Sequence, residues 1–294
     1  MDLQRANHLV GPSVAWMLVG AHLRRLREAR GVSRERAGAV IQASHAKISR
    51  IELGRARIRP PDVECLLALY GVPGGMERQM LLTLAGEADG SRWWKPYRDV
   101  VPPWFEAYLD LEPFALHIRS YDVDYMPGLL QTADYCRAVM RQGHPHASEY
   151  EIQRRVALRM LRQQVFRRPE PPWLWAVIDE AALHKGFGGA ATMRAQLRHV
   201  IDIASRRAGR ITVQVLPSGA AGNSAAAGPL TMLRLPGWEL PDVVYRERLT
   251  GADYPARPDD IVRYWHLLNA IAVKALSPQD SIDRLREASG GLGA

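Results

Sequence analysis

The stretch "VAWMLVGAHLRRLREARG" sets Ala15, Val19, His22, Leu23, Leu26 and Ala29 at spacings of three and four, with Arg24, Arg25, Arg27 and Glu28 mostly opposite. That rhythm predicts an amphipathic helix, ended by Gly31 in a left-handed conformation. Ser33 is placed to cap a short second helix to about Ile41, its hydroxyl accepting from first-turn amides, with Ala37 and Val40 inward. After the connection "QAS", Ser44 caps a third helix whose Ile48 and Ile51 point to the core and whose His45, Lys47 and Arg50 point away. Gly54 stops it. Pro60 or Pro61 opens a fourth helix that buries Val63, Leu66, Leu67 and Tyr70 and stops at Gly71. A fifth, from about Glu77 to Ala88, buries Met80, Leu81, Leu84 and Ala85.

The rhythm then changes. The stretch from Gly86 to Pro103 is rich in Gly, Pro, Trp and charge and reads as a linker, with Trp93 and Trp94 as packing residues. "WFEAYLDLE" predicts a helix, and "FALHIRSYDVDYMPGLLQ" alternates as strands do until Pro127-Gly128 interrupts it. Thr132 caps "TADYCRAVMRQG". A longer amphipathic helix follows, with Ile152, Val156, Met160 and Val165 along one side. "PWLWAVID" and "RITVQVLP" have the length and β-branched content of buried strands, with the helix "ATMRAQLRHVIDIASRRAG" between them. The small-residue stretch "SGAAGNSAAAG" precedes two more strand candidates, "GPLTMLRLP" and "DVVYRERL", and "DDIVRYWHLLNAIAVKAL" and "SIDRLREAS" close the chain as helices. The predicted architecture is an all-α five-helix domain over 1–88, a linker over 89–103, an α+β domain over 104–280, and a C-terminal helix end with a flexible tail over 281–294.

Charge sharpens this division. Residues 1–60 carry twelve Arg and Lys against four Asp and Glu, whereas residues 61–294 carry twenty-seven of each. The formal net charge of +8 therefore sits in the first fifth of the chain. Such asymmetry points to a polyanion-binding module joined to an electrically neutral one. No apolar run approaches the ~20 residues of a membrane-spanning helix, and the first residues lack the order of a secretory signal. Cys65 and Cys136 lie seventy-one positions apart in apolar helical contexts and read as small buried hydrophobes. A cytoplasmic, nucleoid-associated protein is the expectation.

Two short helices joined by a tight turn, inside a five-helix package, form a helix-turn-helix arrangement. The segment "SRERAGAVIQASHAKISRIELGRARIRP" resembles the phage-repressor (Cro/C1, or XRE-type) family, whose form "S-x-x-x-I-S-x-I-E-x-G" is met by Ser44, Ile48, Ser49, Ile51, Glu52 and Gly54. The resemblance spans about 18–72. It implies that the helix over about 44–53 lies in the major groove of double-stranded DNA, with Ser44, His45, Ala46, Lys47 and Arg50 at base edges. Arg50 can bridge guanine O6 and N7, a contact of roughly 1–3 kcal/mol in discrimination. Arg34, Arg55 and Arg57 fall where phosphates pass. Glu52 reads as an intradomain ion pair or cap, because a carboxylate facing phosphate is repelled. One position departs from the family. Gln42 holds the turn site where the family has Gly with positive φ, and Gly38 stands four positions earlier in place of Ala.

The segments "EPFALHIRSYDVDYMPGLLQTADYCRAVM", "VIDEAALH" and "LPGWELPDVVYRE" resemble an antitoxin-like domain of unknown function that accompanies XRE-type modules in regulators of high-GC bacteria. That resemblance implies a small protein partner encoded nearby; homodimerisation is expected separately, because one such module buries limited surface, and a small-molecule effector is a further role open to the second domain. Candidate chemistry is sparse. Glu180 and His184 are four apart without a second pair, His144-Pro145-His146 reads as a solvated loop, and Ser218, His199 and Asp202 lack a nucleophile-elbow context. No phosphate loop is present. The sequence therefore predicts no catalytic residues, no metal and no cofactor, and a sequence-specific regulator. Its alternatives are an antitoxin-like module that neutralises a partner and a small-molecule sensor.

Overall fold

The computed structural model describes residues 12–86, 93–207, 209–220, 228–236, 242–255 and 257–292. The amino-terminal residues before Pro12, most of "SGAAGNSAAAG", part of the Gly86–Pro103 stretch and the final two residues lie outside that set. The chain divides into two compact units, one ending at Phe114 and joined by the short segment that begins at Leu235, the other starting at Ala115.

The first unit contains α1 (Pro12–Ala29), α2 (Arg34–Val40), α3 (His45–Glu52), α4 (Pro60–Leu69), α5 (Met76–Ala85) and α6 (Pro103–Leu111). Its core is Val19, Leu23, Ala37, Ile48, Ile51, Val63, Leu66, Leu67, Tyr70, Met80, Leu81 and Leu84, all buried. α1 crosses α3 so closely that a Cβ on Gly20 would run into the Ile51 carbonyl. His22 is buried on α1 and bonds Glu77 of α5 through Nε2, tying α1 to α5. Burial pushes the imidazole below its ordinary pKa, partly offset by the hydrogen bond to Glu77.

Three inward assignments differ from the sequence pattern. Ala29 is exposed because the last turn of α1 turns Arg27 inward instead. Val40 is exposed because Ile41, a further 100° around, takes the core position after Ala37. Cys65 is exposed on α4, opposite Val63, Leu66 and Leu67, whereas Cys136 is buried as expected. The sequence also predicts a linker over 89–103. Of its described part, Trp94 is buried with Nε1 donating to Asp110 at 2.7 Å, and Trp93 Nε1 donates to the Leu109 carbonyl at 3.0 Å. These bonds attach the segment to α6.

The second unit is α+β. β1 (His117–Asp122), β2 (Trp173–Asp179), β3 (Ile211–Leu216), β4 (Leu230–Arg234), β5 (Val243–Arg248) and β6 (Gly251–Asp253) form one sheet in the order β3-β2-β1-β4-β5-β6. β1, β2 and β3 run parallel, and β4, β5 and β6 continue antiparallel from β1. α7 (Ala133–Gly143) and α8 (Glu149–Arg162) connect β1 to β2, and α9 (Gly189–Arg206) connects β2 to β3. α10 (Pro258–Lys274) and α11 (Pro278–Gly291) end the chain. α8 starts from a full capping box, Ser148 with Glu151.

α10 packs Leu268, Ile271 and Ala272 on one sheet face against Tyr121, Val177, Leu216, Leu230, Met232 and Val244. The edge of β3 is protected: the Ser281 hydroxyl accepts from the Val215 amide at 2.9 Å, and the Leu276 amide donates to the Val215 carbonyl at 2.9 Å. β2 is buried unevenly: in its first half Leu174 and Ala176 are inside while Trp173 and Trp175 are exposed, and the following Val177 and Ile178 are both buried.

Candidate nucleic-acid interface

The helix-turn-helix pair is built by two serine caps. The Ser33 hydroxyl accepts from the Arg36 amide and the Ser44 hydroxyl from the Lys47 amide, each at 3.2 Å. Between them the chain reverses in four residues, closed by the Ala43 amide donating to the Gly38 carbonyl at 2.8 Å. A Cβ on Gly38 would meet the Ala43 carbonyl head-on, so this approach is open to glycine alone. Gln42 occupies φ 52°, the one non-glycine residue with positive φ among the described residues. The positive φ of this turn is thus held by a side-chain-bearing residue, at roughly 1–2 kcal/mol of local strain. α3 ends at Gly54, φ 65°, with the Arg55 amide on the Arg50 carbonyl at 2.8 Å and the Gly54 amide on the Ile51 carbonyl at 2.9 Å.

Ile48 and Ile51 are buried, which turns His45, Ala46, Lys47 and Arg50 to solvent on the opposite side of α3. Ser44 stands at the cap, exposed, with its hydroxyl already accepting from the helix. Arg55 and Arg57 are exposed just beyond. Among the described residues, no carboxylate pairs with the side chains of Lys47, Arg50, Arg55 or Arg57. The same holds for Arg36, exposed on α2, which is not among the positions expected from the sequence to meet DNA. Its signal was available: once Ala37 is assigned inward, the residue before it on the helix points out.

Arg34 is placed differently from these. Its Nε donates to Glu52 Oε2 at 3.0 Å. Glu52 is buried and also receives Arg27, Nε to Oε1 at 2.6 Å and Nη2 to Oε2 at 3.2 Å. The Glu52 carboxylate therefore holds the Arg27 charge above its ordinary pKa. Burial, with Glu52 close by, pushes the Tyr70 hydroxyl up to about 12. Glu52 is thus the intradomain ion pair read from the sequence, joining α1, α2 and α3. Glu35 is exposed at the start of α2, its carboxyl held low by its own amide and by the Ser33 hydroxyl.

The other sequence candidates are scattered. Glu180 is engaged by Arg284 Nε at 2.6 Å and by the Ser218 amide at 2.7 Å, in a short 3-10 turn that also carries His184. His199 and Asp202 lie on α9, and Ser218 follows β3. Among the described residues no group of His, Cys, Asp and Glu could hold a metal ion, and no helix is long and apolar enough to cross a membrane.

A cap-turn-cap pair with a buried inner face and an exposed cationic outer face defines a helix-turn-helix protein, the class of module with which regulators bind DNA. Residues 18–80 match the family model of a helix-turn-helix domain. Residues 105–287 match the Domain of unknown function (DUF5753), and the chain belongs to that family. No curated protein and no solved structure matches the chain.

Proposed function

We propose that this chain is a sequence-specific DNA-binding regulator of the phage-repressor (Cro/C1, or XRE) type, acting as a homodimer through its second unit. The supporting observation is the row of exposed cations on and just after α3, which no acid of the described unit neutralises. A charge left unmatched on a rigid helix face attracts phosphate and releases counterions on binding. Lys47 and Arg50, with His45 and Ala46, stand along the outer face at base-reading positions. Arg55, Arg57 and Arg36 flank them as backbone contacts. Arg34 serves less directly, since its guanidinium is shared with Glu52. Two copies are needed because one small module buries limited surface, and half-sites one helical turn apart multiply affinity.

The test is fluorescence anisotropy on a selected duplex and on a scrambled one, over a range of salt. Arg50→Ala should weaken the selected duplex more than the scrambled one. Arg55→Ala and Arg57→Ala should weaken both alike and each lower the salt slope by about 1. If all three variants lose both duplexes in the same proportion, the assignment of reading and anchoring roles fails.

A further inference from the structure

We infer that the outer flank of α10, with the open half of the sheet beside it, is the surface on which a second copy of this chain docks. The inference rests on the dimeric reading above and names its interface. Eleven large hydrophobic side chains are exposed among the described residues, and five of them gather here. Trp173 is 46% exposed, Trp175 37%, Val262 53%, Trp265 41% and Val273 85%. Three hydrogen bonds make the strands and the helix one surface. Arg119 of β1 donates through Nη2 to Asn269 of α10 at 2.8 Å. Gln214 of β3 accepts from Trp175 Nε1 at 2.6 Å and donates to the Ala272 carbonyl at 3.3 Å. Asn269 lies in one helical row with Val262, Trp265 and Val273, at steps of three, four and four. Exposed indoles in such concentration mark a contact surface, not a solvated face.

The row is self-complementary under a twofold axis. Val262 and Val273 lie equally far from the Leu267–Leu268 peptide. A second α10 laid antiparallel across that point sets each Val262 against the partner's Val273. The ends match as well: α10 opens with Asp259 and Asp260 and closes with Lys274, so an antiparallel pair brings acid to base and aligns the helix dipoles favourably. A parallel pair does the reverse. The sheet floor argues against a nucleic-acid occupant. Arg119 lies 4.7 Å over the Trp175 ring and Arg210 4.7 Å over Trp173, whose ring also stacks with His117. Ring faces that a base would need are thus covered, leaving indole edges for apolar contact.

Sedimentation equilibrium of the full chain without DNA tests this. The wild type should be dimeric in the micromolar range. Val262→Glu and Val273→Glu should each raise the dimer dissociation constant by about tenfold or more, through an unpaired charge at the contact. Joining Val262→Glu with Val273→Lys should recover most of that loss, because the antiparallel register pairs the new charges. Val273→Ser, at the most exposed of these positions, keeps the test open if a charged variant does not fold. A monomeric wild type, single variants that still dimerise, or a double variant without recovery would each overturn the inference. A dimer that ignores all duplex DNA would sink the DNA-binding reading and leave this surface standing; a monomer that binds DNA would do the opposite.

Discussion

Arginine does different work in the two units of this chain. On α3 and just after it, Arg50, Arg55 and Arg57 face solvent without an acid. In the second unit, Arg141 meets Glu149, Arg234 meets Asp242, Arg248 meets Asp253 and Arg284 meets Glu180. Arg119 and Arg210 lie on tryptophan rings. On and just after α3 the first unit carries charge outward, whereas these arginines of the second unit lie against its own carboxylates and indole rings. Within the first unit the contrast recurs: Arg27 on α1 is consumed by Glu52, and Arg50 on α3 meets no acid among the described residues. Net charge alone does not separate these cases; the local count of carboxylates does.

The strongest way to break the comparison is at Glu52. Glu52→Gln leaves Arg27 buried beside a neutral amide, and the first unit should lose about 3–5 kcal/mol, the range for breaking one side of a buried pair. Urea unfolding followed by circular dichroism checks it. A loss below 1 kcal/mol would mean that Arg27 is solvated after all. Next in size, Arg50→Ala should cost about 1–3 kcal/mol of sequence discrimination while leaving the unfolding midpoint unchanged, because the side chain touches no core residue. A shift in both quantities would place Arg50 with Arg27 as a structural residue.

Gln42→Gly should then stabilise the first unit by up to about 1 kcal/mol, relief of roughly 1–2 kcal/mol of strain set against the extra chain entropy of glycine. Thermal unfolding of the variant reads the sign directly. The smallest effect concerns His22. Its folded-state pKa lies below the unfolded value of 6.5, so the unfolded chain takes up the proton first. Stability is therefore complete above about pH 6.5 and declines as the pH falls through the folded pKa. The melting temperature of the wild type should fall between pH 7.5 and 5.5, and that fall should shrink in His22→Asn.

Much of the first unit was readable in advance because its information is local. A serine three residues before an amide it caps, a glycine after the last turn, and isoleucines three apart fix α2 and α3 with no long-range contact. The positive φ at Gln42 was legible for the same reason: the turn has room for only one backbone path. Where the reading failed, a distant contact had decided. Arg27 displaces Ala29 from the inner face because Glu52, twenty-five residues later, needs a partner. Val40 gives way to Ile41. In β2 a Trp-rich run looked buried throughout, but Trp173 and Trp175 at its start are exposed and only Val177 on that face is covered. The basic outer face was visible in the sequence; the indole surface of the second unit was not, since its members come from β2 and α10, far apart in the chain.

The contact at Gly20 has a further consequence. Because α1 meets α3 through main chain at that crossing, the tilt of α3, the helix proposed to read bases, is fixed by atoms common to every residue type. The outward positions 45, 46, 47 and 50 can then change identity without re-aiming the rod that carries them. Paralogues or laboratory variants that keep Gly20 should retarget to new operators by swapping those few side chains, with the scaffold left as it is.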